Sequence, residues 1–245
     1  IKSFDEKISI KNKKIILRSD FNVPILNGTI LDKTRINLSI PFIHNLLKKE
    51  AKVLLISHLG RPKNDKDKNF SLQPVFQYLK EKIDFKIYFK SEKITRETKD
   101  NISFLNNGEL ILFENIRFNE GELNNDDEFA EILSDIGDMY INDAFSCSHR
   151  KQTSIHKITK YINSSYAGPQ LMKEVEAIDK VLNQKKKPTT CIIGGSKIST
   201  KIGVIISLIK KIDYLIIVGA MANNFIKFKG NEVGKSLIEE GSYKV

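Results

Sequence analysis

The stretch Gly168-Pro169-Gln170-Leu171-Met172-Lys173-Glu174-Val175-Glu176-Ala177-Ile178-Asp179-Lys180-Val181-Leu182-Asn183 divides the chain. Leu171, Met172, Val175, Ile178, Val181 and Leu182 recur at helical spacing, so they share one face. Lys173, Glu174, Glu176, Asp179 and Lys180 lie off it. Gly168-Pro169 opens this helix and the Lys185-Lys186-Lys187-Pro188 run closes it. Strand-plus-helix units precede it, and a new series with a glycine-rich turn follows. The pattern predicts two parallel-sheet α/β/α domains of Rossmann-like build: residues 1–165, a hinge helix over 166–184, and a second domain that starts at 185 and runs over 185–245. Periodicity alone fits an ordinary core helix equally well.

Working upstream, Lys14 to Arg18, Lys52 to Ile56, Lys86 to Phe89, Glu109 to Phe113 and Asp138 to Ile141 are short apolar runs separated by helical patterns. Continuous apolar strands of this kind belong to parallel sheets buried on both faces. Helices are expected from about Pro41, from Ser71 to Ile83 and from Asp126 to Ile136. In such sheets ligands bind beyond the carboxyl ends of the strands. Those ends lead into Ser19-Asp20-Phe21-Asn22, His58-Leu59-Gly60-Arg61, Glu114-Asn115-Ile116-Arg117 and Asn142-Asp143-Ala144-Phe145, the last reaching His149-Arg150. Asp20 and Asn22 alternate with Phe21 and so point the same way.

The arginines carry the next inference. Only Arg18, Arg35, Arg61, Arg96, Arg117 and Arg150 stand among 40 basic residues; the others are lysines. Arginine presents a planar fork that grips phosphate or carboxylate with two parallel bonds. Arg35, Arg61, Arg117 and Arg150 lie in connections leaving strand ends, with His58 and His149 beside them. Together they predict an anion pocket, although any one alone fits a surface ion pair.

Downstream, a strand over Thr190 to Ile193 feeds Gly194-Gly195-Ser196-Lys197, with a helix expected from there to about Lys210. A glycine turn at a helix N-terminus offers backbone N–H groups to phosphate. Lys197 and Lys201, four apart, would share one helix face. A second strand over Tyr214 to Val218 ends at Gly219, which suits a flat ring or ribose. Two patterns are decoys. Gly194-Gly195 lacks the dinucleotide fingerprint, and Gly234-Lys235-Ser236 lacks the earlier glycine of a phosphate loop, Lys229 standing there instead. Ser154 and His156 have no third partner in the sequence and read as structural.

The net charge of +10 raises nucleic-acid binding, but no stripe interleaves the lysines with stacking aromatics, so they read as solvated surface. No apolar run reaches membrane-spanning length and no signal pattern opens the chain. Cys147 and Cys191 have no metal-ligand spacing. A reducing cytoplasm is expected, with no membrane or nucleic-acid partner, no protein metal ligand, and a monomer.

Taken together, Arg18-Ser19-Asp20-Phe21-Asn22-Val23-Pro24, His58-Leu59-Gly60-Arg61-Pro62, Glu114-Asn115-Ile116-Arg117-Phe118, Asn142-Asp143-Ala144-Phe145 with His149-Arg150, and Gly194-Gly195-Ser196-Lys197 with Lys201 resemble the phosphoglycerate kinase family. The resemblance implies reversible phosphoryl transfer from 1,3-bisphosphoglycerate to ADP, a glycolytic step giving 3-phosphoglycerate and ATP, with Mg2+. It implies that Asp20, Phe21 and Asn22 meet the glycerate, and that His58, Leu59, Gly60, Arg61, Arg117 and Arg150 hold its non-reacting phosphate. Arg35 and Lys197 would meet the transferring group, and Gly194, Gly195, Lys197, Lys201 and Gly219 the nucleotide. Hinge closure would join the two half-sites. Ser146-Cys147-Ser148, Gln152, Val218, Ala220 and Pro169-Gln170 depart from the family pattern. The resemblance also implies that the second domain is incomplete, truncated at Val245, with the protein ligand for Mg2+ expected beyond that residue, so this chain alone is expected to show negligible turnover. A regulatory metabolite-binding module remains the alternative class.

Overall fold

The computed structural model describes residues 1–64, 67–183 and 187–241. Lys185 and Lys186, expected to help close the hinge helix, lie outside the described residues. Contacts divide the chain into two compact units, Ile1–Glu174 and Val175–Val245.

In the first unit the strands are β1 (Lys14–Arg18), β2 (Ile25–Leu26), β3 (Thr29–Ile30), β4 (Lys52–Ile56), β5 (Ile87–Lys90), β6 (Leu110–Phe113), β7 (Met139–Asn142) and β8 (Ser165–Ala167). β2 and β3 make a small antiparallel hairpin about Asn27-Gly28, both at positive φ. The other six form one parallel sheet in the order β5-β6-β4-β1-β7-β8. Leu17 of the central strand pairs with Leu55 on one side and Ile141 on the other.

Alternation along these strands explains their unbroken apolar character. Ile15, Leu17, Val53, Leu55 and Leu112 enter one core, while Ile16, Leu54, Ile56, Ile111 and Phe113 enter another. The first core is covered by α1 (Thr34–Lys48) and α2 (Gln73–Lys82). The short helices α3 (Thr98–Asn101) and α4 (Glu120–Asn124) follow. The second core is closed by α5 (Asp127–Asp135) and α6 (Ile158–Tyr161), through Phe129, Leu133 and Ile158. A π-helical turn, Thr153–Lys157, runs into α6. Asp126 caps α5 by accepting from Phe129 N at 2.7 Å.

Pro41 does not open its helix; it lies in the middle of α1. An interior proline costs about 3 kcal/mol or more. Ile36, Phe42, Ile43, Leu46 and Leu47 are all buried from this helix, each contributing about 1.5–3 kcal/mol, so burial wins. Arg35 therefore sits in the first turn of α1 rather than in the loop before it.

Helix α7 (Pro169–Asn183) forms as expected, and the unit boundary falls inside it. Its apolar stripe is unevenly covered: Leu171 is buried, whereas Ile178 and Val181 are exposed.

The second unit contains β9 (Thr190–Gly194), α8 (Ile202–Ile209), β10 (Tyr214–Val218) and α9 (Ala220–Phe228). The two strands pair in parallel. Ile193, Leu215 and Ile217 face a small core of Ile198, Ile205 and Met221. The alternate residues Ile192, Tyr214, Ile216 and Val218 are exposed.

Candidate functional site

The loops beyond β1, β4, β6 and β7 lie at the carboxyl edge of the six-stranded sheet, because all four strands run the same way. Past β1, the Phe21 side chain turns into the core, and its backbone N donates to Ser57 Oγ at 2.9 Å. That anchor leaves Asp20 and Asn22 on the outer side. Asp20 Oδ2 accepts from Arg35 Nη1 at 2.6 Å and from Ser146 Oγ at 2.5 Å. Asn22 Oδ1 accepts from Gly60 N at 2.8 Å, tying the first loop to the second. Leu59, like Phe21, sends its side chain into the core. Both shape the site through their backbone.

Gly60 has φ +56°, and a Cβ there would lie 2.2 Å from the Phe70 ring, so glycine is required on both counts. The loop around it is held by Asn115, which is fully buried. Its Nδ2 donates to Leu59 O at 2.8 Å and Phe70 O at 2.9 Å, and its Oδ1 accepts from Leu59 N and Arg117 N. Sequence reading quoted Asn115 without giving it this role. An asparagine two residues past a strand end, at a loop-rich edge, is the signal that was available.

Arg117 is buried and donates from Nη1 to Gly60 O and from Nη2 to Gln152 Oε1 at 3.4 Å. Its Nε has no partner. Burial, reinforced by the Arg150 and Arg18 charges, holds its pKa below the usual arginine range. Arg61 is exposed and Arg150 half-buried. Among the described residues, no carboxylate pairs with Arg61, Arg117 or Arg150. His58 is buried, and burial together with the Arg18, Arg117, Arg150 and Arg35 charges pushes its pKa down to about 2. The ring is therefore neutral. The arrangement is a set of guanidinium forks with unfilled donors, which suits a multiply charged anion.

Two clefts flank this set. One of 170 Å³ is lined by Asp20, Arg35, Ser39, Asp143, Ser146 and Gln170. The other, of 380 Å³, is lined by Lys63, Lys93, Arg117 and Asn119 among others. Asp143 links the first cleft to α7. Its Oδ1 accepts from Gln170 N at 2.6 Å and Leu171 N at 3.2 Å, and Oδ2 is buried without a partner. Burial raises its pKa to about 6 against the pull of those two bonds. A Cβ on Gly168 would meet Asp143 Oδ1 at 2.5 Å, so the glycine admits the carboxylate to the helix end.

In the second unit the glycine turns meet. Met221 N donates to Gly195 O at 2.9 Å, and Gly219, at φ +69°, would place a Cβ 3.4 Å from that same oxygen. The helix expected directly after Gly194-Gly195 starts later, at Ile202. Ser199 N donates to Glu239 at 3.0 Å, and Ile198 O accepts from Lys201 N and Ile202 N, which holds 198–201 as a turn. Lys197 therefore lies before this turn and Lys201 at its end, just before α8, so they do not share a helix face; both are exposed. The helix that does follow a glycine directly is α9, after Gly219. Gly230 and Gly234 are turn residues at positive φ, with no strand before them.

The phosphoglycerate kinase family profile matches residues 5–245. The chain belongs to the phosphoglycerate kinase family. A phosphoglycerate kinase of a Wolbachia from Drosophila simulans is 44% identical over 236 residues, covering 96% of this chain and 59% of that one. The phosphoglycerate kinase of Rhizobium meliloti is 41% identical over 238 residues, covering 97% and 59%. Among solved structures, phosphoglycerate kinase from Coxiella burnetii superposes with a TM-score of 0.83 at 36% identity, covering 97% of this chain and 60% of that one. The enzyme from Pyrococcus horikoshii gives 0.80 at 27% identity, covering 94% and 58%. The chain thus spans about 59% of the length of the curated phosphoglycerate kinases it matches.

Phosphoglycerate kinase implies a nucleotide substrate with Mg2+. Among the described residues, no group of three or more His, Cys, Asp or Glu side chains could hold a metal ion. No helix among them is long and apolar enough to cross a membrane.

Proposed function

We propose that the chain carries the 3-phosphoglycerate half-site of phosphoglycerate kinase in its first unit and part of the nucleotide half-site in its second. The observation that carries this reading is the neutral, buried His58 ring under the Arg117 and Arg150 charges at the carboxyl edge of one parallel sheet, with Arg61 exposed three residues on and none of these three arginines paired with a carboxylate among the described residues. In the reaction, an ADP phosphate oxygen attacks the acyl phosphorus of 1,3-bisphosphoglycerate. The P–O bond to the carboxyl group breaks, leaving the 3-phosphoglycerate carboxylate and ATP. Such a transfer needs positioning and cations over the equatorial oxygens rather than a covalent intermediate.

On this reading Asp20 and Asn22 orient the glycerate. His58, Arg61, Arg117 and Arg150 hold the phosphate that does not react, with the backbone of Phe21, Leu59 and Gly60 as the frame. Arg35 and Lys197 supply charge to the transferring group. Gly194, Gly195, Lys201 and Gly219 serve the nucleotide. Residues 1–165 form the substrate domain, 166–184 the hinge and 185–245 the start of the nucleotide domain. The protein acts on free metabolites as a monomer in the cytoplasm; its two free thiols suit a reducing compartment.

The test is a calorimetric titration of 3-phosphoglycerate into this chain and into Arg61→Ala, after circular dichroism shows both folded. Saturable binding by the parent and its loss in the variant support the reading. A folded parent that binds nothing, both as it stands and as a full-length chain, overturns it. Metabolite binding by that full-length chain with no turnover would instead favour a regulatory module.

A further inference from the structure

A buried hydrogen-bonded chain runs from α4 to His58, and three of its members have no place in the roles above. Glu122, Ser154 and Arg18 are each fully buried, and His58 is nearly so. Arg18 closes β1, His58 follows β4, Glu122 lies in α4, and Ser154 lies in the π-helical turn. Glu122 grips Ser154 twice: Oε2 accepts from Ser154 N at 2.8 Å, and Oε1 accepts from Ser154 Oγ at 2.7 Å. Tyr140 holds the other side of that residue, its hydroxyl donating to Ser154 O at 2.6 Å. Arg18 Nε then donates to Ser154 Oγ at 3.1 Å, Nη1 to Ser19 O at 2.6 Å, and Nη2 faces His58 Nδ1 at 3.0 Å.

The proton positions follow from what each group can do. A guanidinium has donors and no acceptor. Ser154 Oγ must therefore accept from Arg18 Nε, and its own proton goes to Glu122. By the same rule His58 Nδ1 must accept from Arg18 Nη2. It carries no proton, and the ring's one proton sits on Nε2. An imidazolium would set an N–H against an N–H.

We propose that Glu122, Ser154 and Arg18 are positioning residues that lock His58 as the Nε2–H tautomer, so that it meets the bound phosphate as a neutral hydrogen-bond donor. The role in phosphate binding rests on the function proposed above; the tautomer does not. Arg18 works through His58. The groups acting on the ring are Arg18 from β1, Arg35 from α1, Arg117 from the turn after β6, and Arg150 from the loop after β7. All are cations, so none favours a protonated ring. A neutral donor adds directionality without a further charge to desolvate among guanidiniums already crowded together.

The experiment is long-range 1H–15N correlation NMR on the ligand-free chain labelled with 15N-histidine, with His58 assigned by the peak lost in His58→Gln. The parent is expected to show the Nε2–H pattern, unchanged from pH 8 to pH 5.5. An Nδ1–H pattern, a mixture, or titration near the ordinary histidine pKa of about 6.5 overturns the proposal. Ser154→Ala, or Glu122→Gln should that variant not fold, tests the relay. Either is expected to turn His58 into a tautomer mixture and to weaken 3-phosphoglycerate binding at least tenfold with the fold retained. A folded variant with the parent's tautomer and affinity removes Glu122 and Ser154 from the role. A correct tautomer in a folded full-length protein that binds no 3-phosphoglycerate would leave the lock standing and sink the proposed function instead.

Discussion

Arg35, in the first turn of α1, donates to Asp20 Oδ2 at 2.6 Å across the mouth of the loop beyond β1. The Arg35 side chain is 48% exposed and that of Asp20 14%. Ion pairs open to solvent contribute about 0–1 kcal/mol, so this pair stores little stability and leaves the guanidinium available to an anion.

Arg35→Ala is accordingly expected to unfold in urea within about 1 kcal/mol of the parent. On the proposed role, the substitution in an enzyme completed to the length of its relatives should lower kcat more than tenfold while 3-phosphoglycerate affinity changes less, because that role puts the Arg35 contact on the transferring group. Steady-state kinetics beside calorimetry checks this. Lost affinity with kcat intact would place Arg35 on the resting phosphate.

Gly60→Ala meets the Phe70 ring and adopts a left-handed backbone conformation. It should cost on the order of 1–3 kcal/mol in denaturant unfolding. It should also weaken anion binding, since Gly60 O accepts from Arg117 and Gly60 N donates to Asn22. A variant equal to the parent in both respects would show that the loop can move without consequence.

Asn115→Ala leaves the Leu59 and Phe70 carbonyls and two backbone N–H groups without their side-chain partner. Each buried group so stranded costs about 1–3 kcal/mol, and a loss of at least about 2 kcal/mol in urea unfolding is expected. Asn115→Asp should be nearly as costly, because it cannot donate to the two carbonyls.

Asp143 sets a pH dependence whose sign can be worked out. Its folded pKa is raised from 3.8 to about 6, so the folded chain holds this proton more tightly than the unfolded chain does. Its contribution to stability is full below pH 3.8 and is lost as pH rises through about 6. A shift of roughly two units corresponds to about 3 kcal/mol. Asp143→Asn keeps the acceptor for Gln170 and Leu171 and removes the charge. It should be more stable than the parent at pH 7.5 and close to it at pH 4. Equal stability at both pH values would argue that Asp143 is ionised without penalty.

The parallel sheet was legible because Leu17, Leu55 and Ile141 stand in short continuous apolar runs, and that pattern has few other solutions. The carboxyl-edge loops were legible because arginine is scarce here and four of the six arginines follow strands. The start of α1 was not, because Pro41 is a strong local signal that tertiary burial overrides. The late start of α8 was not either. It depends on Glu239 reaching Ser199, a contact 40 residues apart that no local pattern contains. The relay through Glu122, Ser154 and Arg18 joins four elements and shows in the sequence only as ordinary polar residues. Phe21 and Leu59 read as part of the site by position, yet their side chains belong to the core.

The alternation of β9 and β10 that buries Ile193, Leu215 and Ile217 turns Ile192, Tyr214, Ile216 and Val218 outward on the opposite face. In this chain that makes colloidal behaviour a contest between charge and stickiness. A net charge of +10 keeps molecules apart in dilute buffer. As added salt shortens the screening length from about 10 Å at 0.1 M to about 3 Å at 1 M, that repulsion fades and the apolar stripe governs encounters. High salt, often chosen to keep basic proteins dispersed, would here promote clumping, and dilute buffer is the milder medium for handling the chain.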